Sequence, residues 1–282
     1  MAQDASADKQ IGPPNLSYSI LDPAEPQSVR QSMCALAVMA KAPRPGKVKT
    51  RLSPPLTLDE SAALNICFLQ DTTNNIAEVV AQSPAAGLIC YTPVGDEAAF
   101  DGLLPEGFSL IPQRGEAFGE RLLAAAEDIL TSGYGAVCLI DSDSPTLPAK
   151  ALELAVEALI QPGDRVVLGG SEDGGYYLIG LKHLHPMLFE SVTWSTASVY
   201  RETLERIRDA RLDLVELPLW YDVDDAATLA VLEEELLNGV RPRFSRIDGY
   251  RAEITRDYLA TRRQALHENM NMSSKHSMED QR

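Results

Sequence analysis

No stretch of this sequence approaches the roughly 18 consecutive apolar residues that a membrane span requires, and the amino terminus lacks the basic-then-apolar order of a secretion signal. No membrane span is expected, and a cytoplasmic location is the default. Cysteine is scarce: Cys34, Cys67, Cys90 and Cys138 are widely spaced. Three of them fall in predicted buried strands, where a small apolar side chain packs well, so reduced core thiols are expected rather than a disulfide framework. His183 and His185 form an H-x-H pair among only four histidines, and the absence of a neighbouring acidic or Cys cluster argues against zinc. Basic residues are also in deficit, 25 Lys and Arg against 41 Asp and Glu, for a formal net charge of −16. Such a chain repels nucleic acid and anionic lipid, so neither is expected as a general partner.

What is present is enough for a globular core: 282 residues, 45% of them hydrophobic. Residues 1–31 and 267–282 are polar and without apolar periodicity, which predicts disordered tails around a single domain over 32–266. Within that domain, apolar runs and helical segments alternate. Strands are expected at 34–40, 87–91, 108–112, 136–140, 165–168, 176–179 and 214–217, and helices at 58–81, 116–130, 149–160 and 196–210, with another from Ala226. This is the βαβ pattern of an α/β fold with a largely parallel sheet.

The acid surplus has a local reversal. From Pro26 to Leu58 there is no Asp or Glu, while Lys41, Arg44, Lys47, Lys49 and Arg51 fall within eleven residues. This basic loop, punctuated by Pro43, Pro45 and Gly46, follows the first buried strand directly, where α/β nucleotide-binding proteins place phosphate contacts. It is not a Walker A loop, because Val48 follows Gly46-Lys47 where Ser or Thr belongs.

A second cluster lies at Leu139-Ile-Asp-Ser-Asp-Ser-Pro-Thr-Leu147, where Asp141 and Asp143 leave the carboxyl end of a buried strand. Ligand crevices of open α/β sheets lie outside those ends, so the pair is placed to hold a metal; the alternative is that Asp141 or Ser144 caps a turn or a helix. Further on, Glu172-Asp-Gly-Gly-Tyr-Tyr-Leu-Ile-Gly-Leu181 offers Asp173, Gly174, Gly175 and Tyr176 at a tight turn near a ligand. Trp194 either stacks on a base or sugar or packs as core or lid. Asp225 reads as the N-cap of the helix from Ala226, which leaves Asp222 and Asp224 free for chemistry.

Met39 to Leu52, Asp143 to Leu147, Glu172 to Leu181, Trp194 to Thr196 and Asp222 to Asp224 together resemble the DUF2064 proteins. This bacterial family is similar to the guanylyltransferases of coenzyme F420 biosynthesis and to molybdopterin nucleotidyltransferases. The resemblance spans about residues 33 to 235 and implies a three-layer, Rossmann-like mixed sheet of the nucleotide-diphospho-sugar transferase (glycosyltransferase-A) type. It also implies a divalent cation, Mg²⁺ or Mn²⁺, on Asp143 and Asp224, with Asp141 as an extra ligand or a bystander. Two departures from the family pattern stand out: position 141 is usually small, and Asp225-Ala226 replaces Thr-Pro.

The expected chemistry is transfer from a nucleotide or sugar nucleotide to a small-molecule acceptor. Asp143 and Asp224 are the candidate catalytic residues. Lys41, Arg44, Gly46, Lys47, Lys49 and Arg51 are the candidate phosphate contacts, and Asp173 to Tyr176 with Trp194 the acceptor side. The abundant cations favour nucleotidyl transfer from a triphosphate to a phosphorylated acceptor. Glycosyl transfer from a nucleotide-diphospho-sugar and non-catalytic nucleotide sensing are the alternatives.

Overall fold

The structure, a computed structural model, describes residues 18–279. An eight-stranded sheet lies between two helical layers. In chain order its elements are β1 (Ser19–Ile20), β2 (Cys34–Lys41), α1 (Leu58–Val80), β3 (Ala85–Thr92), β4 (Ser109–Pro112), α2 (Phe118–Thr131), β5 (Ala136–Ile140), α3 (Ala149–Ile160), β6 (Arg165–Gly170), β7 (Tyr176–Leu181), α4 (Val199–Asp209), β8 (Asp213–Glu216), α5 (Ala226–Asn238) and α6 (Glu253–Glu279). The sheet order is β1-β4-β3-β2-β5-β7-β6-β8. Strand β7 runs antiparallel to both its neighbours, β5 and β6, and every other pairing is parallel. This is the mixed α/β sheet expected of the nucleotide-diphospho-sugar transferase class.

The continuous apolar runs have a direct cause. Along β2, Cys34, Leu36, Val38 and Ala40 pack into one core with α1, α3, α5 and α6, while Ala35 and Ala37 face the other with α2 and α4. Strand β5 divides likewise, with Cys138 and Ile140 on the first side and Val137 and Leu139 on the second. A strand covered on both faces has no solvent side to make polar. All four cysteines are buried and free.

Local chemistry sets the helix starts. Thr57 and Glu60 form a reciprocal capping box at α1, with N–H to side-chain distances of 3.1 and 2.7 Å. Asp225 caps α5 by accepting from Ala227 N and Thr228 N at 3.0 and 2.9 Å, as its sequence position predicts. Helix α4 departs from expectation: it begins at Val199 after Ser198, because Ser195 and Thr196 lie in an irregular turn in which Ser195 has φ 61°.

Two tail boundaries also shift. Residues 18–31 contain β1, the edge strand paired with β4, and most of a 3-10 turn over Ser28–Ser32. The boundary expected at 267 falls inside α6. The rest of the expected tails, 1–17 and 280–282, lies outside the described residues. Composition missed β1 because edge pairing uses backbone groups that carry no side-chain signature.

Helix α6 docks on α1 through a buried carboxylate. Asp71 accepts from Thr255 N at 2.7 Å and Ile254 N at 3.2 Å, capping the first turn of α6 from another element. Burial pushes the Asp71 pKa above its ordinary value against the pull of these hydrogen bonds. Folding therefore takes up a proton here: the stabilisation is fully present below the unfolded pKa and is lost as pH rises through the raised one. In urea unfolding across a pH series, Asp71→Asn should remove that decline. Asp71→Ala should lower stability by about 1–3 kcal/mol, because two helix N–H groups lose their acceptor.

Candidate active site

The carboxyl ends of β2, β5 and β6 open into one crevice, and three chain segments meet there. The first is the basic loop after β2, which enters through Gly46 at φ 70° and turns at Lys49, itself left-handed at φ 47°. The second is the turn after β5. The third is the segment before α5, held by a parallel bridge between Ser171 and Trp220 and by Val223 N donating to Asp143 O at 2.9 Å.

At their junction lies the Lys49 ammonium. It is 2.8 Å from Asp143 Oδ1 and 3.1 Å from Asp224 Oδ1, and it donates to Val223 O at 2.7 Å, with only 4% of its side chain exposed. Burial works against its charge, but the carboxylates of Asp143 and Asp224 outweigh burial and hold its pKa above the ordinary value. Arg51, largely exposed, pairs with the other oxygen of Asp224 at 2.5 Å.

Asp141 does not join this group. Its Oδ1 accepts from Asp143 N at 3.3 Å and its Oδ2 lies 2.9 Å from Ser144 Oγ, so it closes the turn after β5 as a capping carboxyl. Desolvation, with the charges of Asp143 and Asp222 nearby, pushes its pKa well above the usual range. The hydrogen bonds from Ser144 and Asp143 N pull the other way, and Ser144 Oγ also lies 2.9 Å from Tyr221 O. The Ser144 hydroxyl thus ties Asp141 Oδ2 to the Tyr221 carbonyl as a shared donor. The expected third metal carboxylate is thus used by the turn, because the chain bends at 142 and 143 instead of staying extended. Among the described residues, no group of three or more His, Cys, Asp or Glu is arranged to hold a metal.

The crevice has two chambers. The first, about 380 Å³, is lined by Lys41, Lys47, Lys49, Arg51 and Arg121, with Asp143 and Asp224 at its inner edge. The second, about 350 Å³, is lined by Asp141, Asp173 and Asp222 and walled by Phe118, Tyr176 and Trp194. Arg51, Phe118, Met39, Asp143 and Asp224 border both. Trp194 meets Phe118 edge-on at 5.2 Å and Tyr176 at 6.2 Å between ring centroids. Asp173 Oδ1 accepts from Gly175 N at 2.7 Å, and Asp222 Oδ1 from Ser171 Oγ at 2.7 Å. Burial raises the Asp222 pKa against that hydrogen bond, and the charges of Asp173 and Asp224 add to the rise.

Most sequence candidates converge here. Two of the basic loop do not: Arg44 pairs with Asp96 at 2.5 Å, and neither it nor Gly46 lines a chamber. Gly174 shapes the loop instead of the surface, since at φ 90° a Cβ there would lie 2.2 Å from Ala197 O. Arg114, in the loop after β4, pairs with Asp128 at 2.6 Å and lines neither chamber. His183 and His185, which lack an acid nearby in sequence, share Asp164 at 3.0 Å each, away from both chambers. Sequence reasoning missed Phe118 and Arg121 because a helix amino terminus gives no sign of facing another loop. Asp222 had the signal of an acid at a strand exit.

Gly119 fixes the aromatic wall, since an added Cβ would lie 2.4 Å from Trp194 Nε1 and 2.6 Å from Phe189 O. Gly119→Ala should push Trp194 outward, at a stability cost of about 1–3 kcal/mol. Trp220, the other tryptophan, is fully buried, so red-shifted emission and easier acrylamide quenching would report Trp194 alone. Unchanged emission would mean that α2 yields instead.

Comparisons with known proteins agree with this architecture. Residues 75–196 match the family described as "Uncharacterized protein conserved in bacteria (DUF2064)". A comparison with curated protein sequences returns no match. Among solved structures, a candidate nucleotide-diphospho-sugar transferase from Desulfovibrio desulfuricans G20 is 33% identical, covering 83% of this chain and 98% of its own, with a TM-score of 0.67. Two others are more distant. A cytidylyltransferase from Leptospira borgpetersenii is 13% identical over 83% of this chain and 95% of its own, TM-score 0.45. A Mycobacterium tuberculosis H37Rv protein in complex with manganese is 12% identical over 71% and 97%, TM-score 0.43. With a third of its residues shared across nearly the whole of the Desulfovibrio protein, and with the family match over its centre, the chain belongs to the DUF2064 family of the nucleotide-diphospho-sugar transferase superfamily.

Proposed function

We propose that the protein transfers a glycosyl group from a nucleotide-diphospho-sugar to a small hydroxylated acceptor. The observation that carries this reading is the split crevice, basic on one side of the Asp143–Lys49–Asp224 bridge and acidic and aromatic on the other. Lys41, Lys47 and Arg121 in the first chamber, with Arg51 at the border, suit the oxygens of a diphosphate. The second chamber suits a neutral, hydroxyl-rich ring: Asp173 and Asp222 accept from hydroxyls, and Phe118, Trp194 and Tyr176 cover its apolar face. Among the described residues Arg51 is the only cation lining that chamber, so a phosphorylated acceptor would meet carboxylates there at an electrostatic cost. The Desulfovibrio relative, by its description, supports the same donor class.

A divalent cation of the Mg²⁺ or Mn²⁺ class fits Asp143 and Asp224, whose Oδ1 atoms already converge on one positive charge. Two carboxylates completed by water and phosphate oxygens are a usual magnesium set. Bound there, the ion would supply charge neutralisation at the departing diphosphate. The chain's own residues do the rest. Lys47 and Arg51 orient the phosphates, the aromatic wall excludes water, and Asp222, held by Ser171, is placed to take the proton of an acceptor hydroxyl.

A second reading, nucleotidyl transfer from a triphosphate to a phosphorylated acceptor, is favoured by one observation: Lys41 and Lys47 line the basic chamber without an ion pair among the described residues, leaving charge for a third phosphate. Product analysis separates the readings. With Mg²⁺ or Mn²⁺, sugar nucleotides and a panel of polyol acceptors, release of a nucleoside diphosphate is expected. Asp143→Ala and Asp224→Ala should each lower turnover by orders of magnitude, and Lys47→Ala should weaken diphosphate binding by about 10- to 100-fold relative to the free nucleoside. Pyrophosphate release from a nucleoside triphosphate would select the second reading. Nucleotide binding without turnover for any acceptor would leave a sensor.

A further inference from the structure

The ammonium of Lys49 stands where the two carboxylates would hold a metal, and it is bound too well to be incidental. An ammonium has three hydrogens to donate, and Lys49 has an acceptor for each: Asp143 Oδ1 at 2.8 Å, Asp224 Oδ1 at 3.1 Å and Val223 O at 2.7 Å. The other cations of the basic loop differ. The side chains of Arg44 and Arg51 are 58% and 74% exposed, whereas that of Lys49 is 4% exposed. Its aliphatic stem passes Phe68, with Nζ 5.7 Å from the ring centroid. The left-handed backbone at Lys49, φ 47° and ψ 36°, directs the side chain inward from an otherwise exposed turn.

A divalent ion between the same two oxygens would lie against this buried positive charge. Like charges at that separation, poorly screened by water, repel strongly. The ion can enter only if the ammonium leaves, and the ammonium leaves only if another anion accepts it. Lys49 also lines the basic chamber, so rotation about its four-carbon stem carries Nζ from the carboxylates toward the phosphate position. The exchange keeps both carboxylates and the ammonium paired with opposite charge. The two carboxylates trade the ammonium's one positive charge for the ion's two, which with Arg51 beside Asp224 leaves net positive charge for the phosphates to neutralise, while the displaced ammonium pairs with a phosphate oxygen.

We propose that Lys49 is a built-in cation that closes the Asp143–Asp224 pair to free divalent metal, so that metal enters together with a nucleotide whose phosphates draw the ammonium away. The inference rests on the metal-assisted nucleotide reading above and adds to it an order of binding. It also explains how two carboxylates remain close together before any ligand arrives.

Manganese binding to the full chain, followed by the electron paramagnetic resonance signal of free Mn²⁺, tests this without recourse to activity. Wild type should bind Mn²⁺ alone weakly, and Lys49→Met, which keeps the stem and removes the charge, should bind it at least about tenfold more tightly. Adding UDP, CDP or GDP should raise wild-type Mn²⁺ affinity beyond the metal's binding to that nucleotide in solution, and should raise that of Lys49→Met much less. Equal Mn²⁺ affinity of wild type and Lys49→Met in the absence of nucleotide would overturn the closure by Lys49 and leave the metal reading standing. A folded Lys49→Met that binds no Mn²⁺ would overturn both. If Lys49→Met fails to fold, Lys49→Gln, which keeps two hydrogen-bond donors for the carboxylates, is measured with the same expectations.

Discussion

One ion-pair cluster holds the crevice in shape. Lys49 comes from the loop after β2, Asp143 from the turn after β5 and Asp224 from the segment before α5, separated by 94 and 81 residues along the chain, and they meet within 3.1 Å. Two carboxylates facing one another would otherwise repel and splay the segments apart. The cluster is tied to the backbone as well, since Lys49 donates to Val223 O and Val223 N donates to Asp143 O. Loss of the ammonium would therefore loosen a carboxylate pair and a backbone register together, which is why a buried lysine is tolerated here despite its desolvation.

Much of the fold was legible because its physics is local. Strand β5 and helix α3 follow from an apolar run, a proline-bounded turn and an apolar helical face, and Ala149–Ile160 forms the helix its pattern predicts. Asp225 was legible as a cap because capping depends on the next three residues alone. The direction of β7 was not legible: Tyr176–Leu181 is a continuous apolar strand with β5 on one side and β6 on the other, and a run buried on both faces carries no mark of parallel or antiparallel pairing. Only the family resemblance pointed to a mixed sheet.

The site was legible as a set of segments and less so as a set of roles. Charge reversal marked the loop from Lys41 to Arg51 and strand exits marked Asp143 and Asp224, yet nothing local distinguished Lys49, which is buried between acids, from Arg44, which pairs with Asp96 beyond the chambers. The distinction depends on where the backbone turns left-handed and on what lies 94 residues away. Asp141 and Asp143 look alike in sequence for the same reason. The bends at Ser142 and Asp143 set one carboxyl against Ser144 and the other against Lys49.

The division of charge within the crevice follows from a conflict that any group transfer from a phosphate-bearing donor must resolve. The leaving group gathers negative charge and needs cations, while the incoming hydroxyl must shed a proton and needs a base, which those same cations would weaken if they stood beside it. Here Lys41, Lys47 and Arg121 lie in one chamber and Asp173 and Asp222 in the other. The border groups Asp143, Asp224 and Arg51, with Lys49 of the basic chamber between the two carboxylates, largely cancel one another in pairs. A neutralised seam shortens the reach of each field into the other chamber, so Asp222 keeps the raised proton affinity that burial and its acidic neighbours give it. In a chain of net charge −16 the basic chamber is also a local exception. Phosphates are repelled from the rest of the surface and attracted there, so the same segregation that separates acid from base chemistry also orients the donor as it arrives.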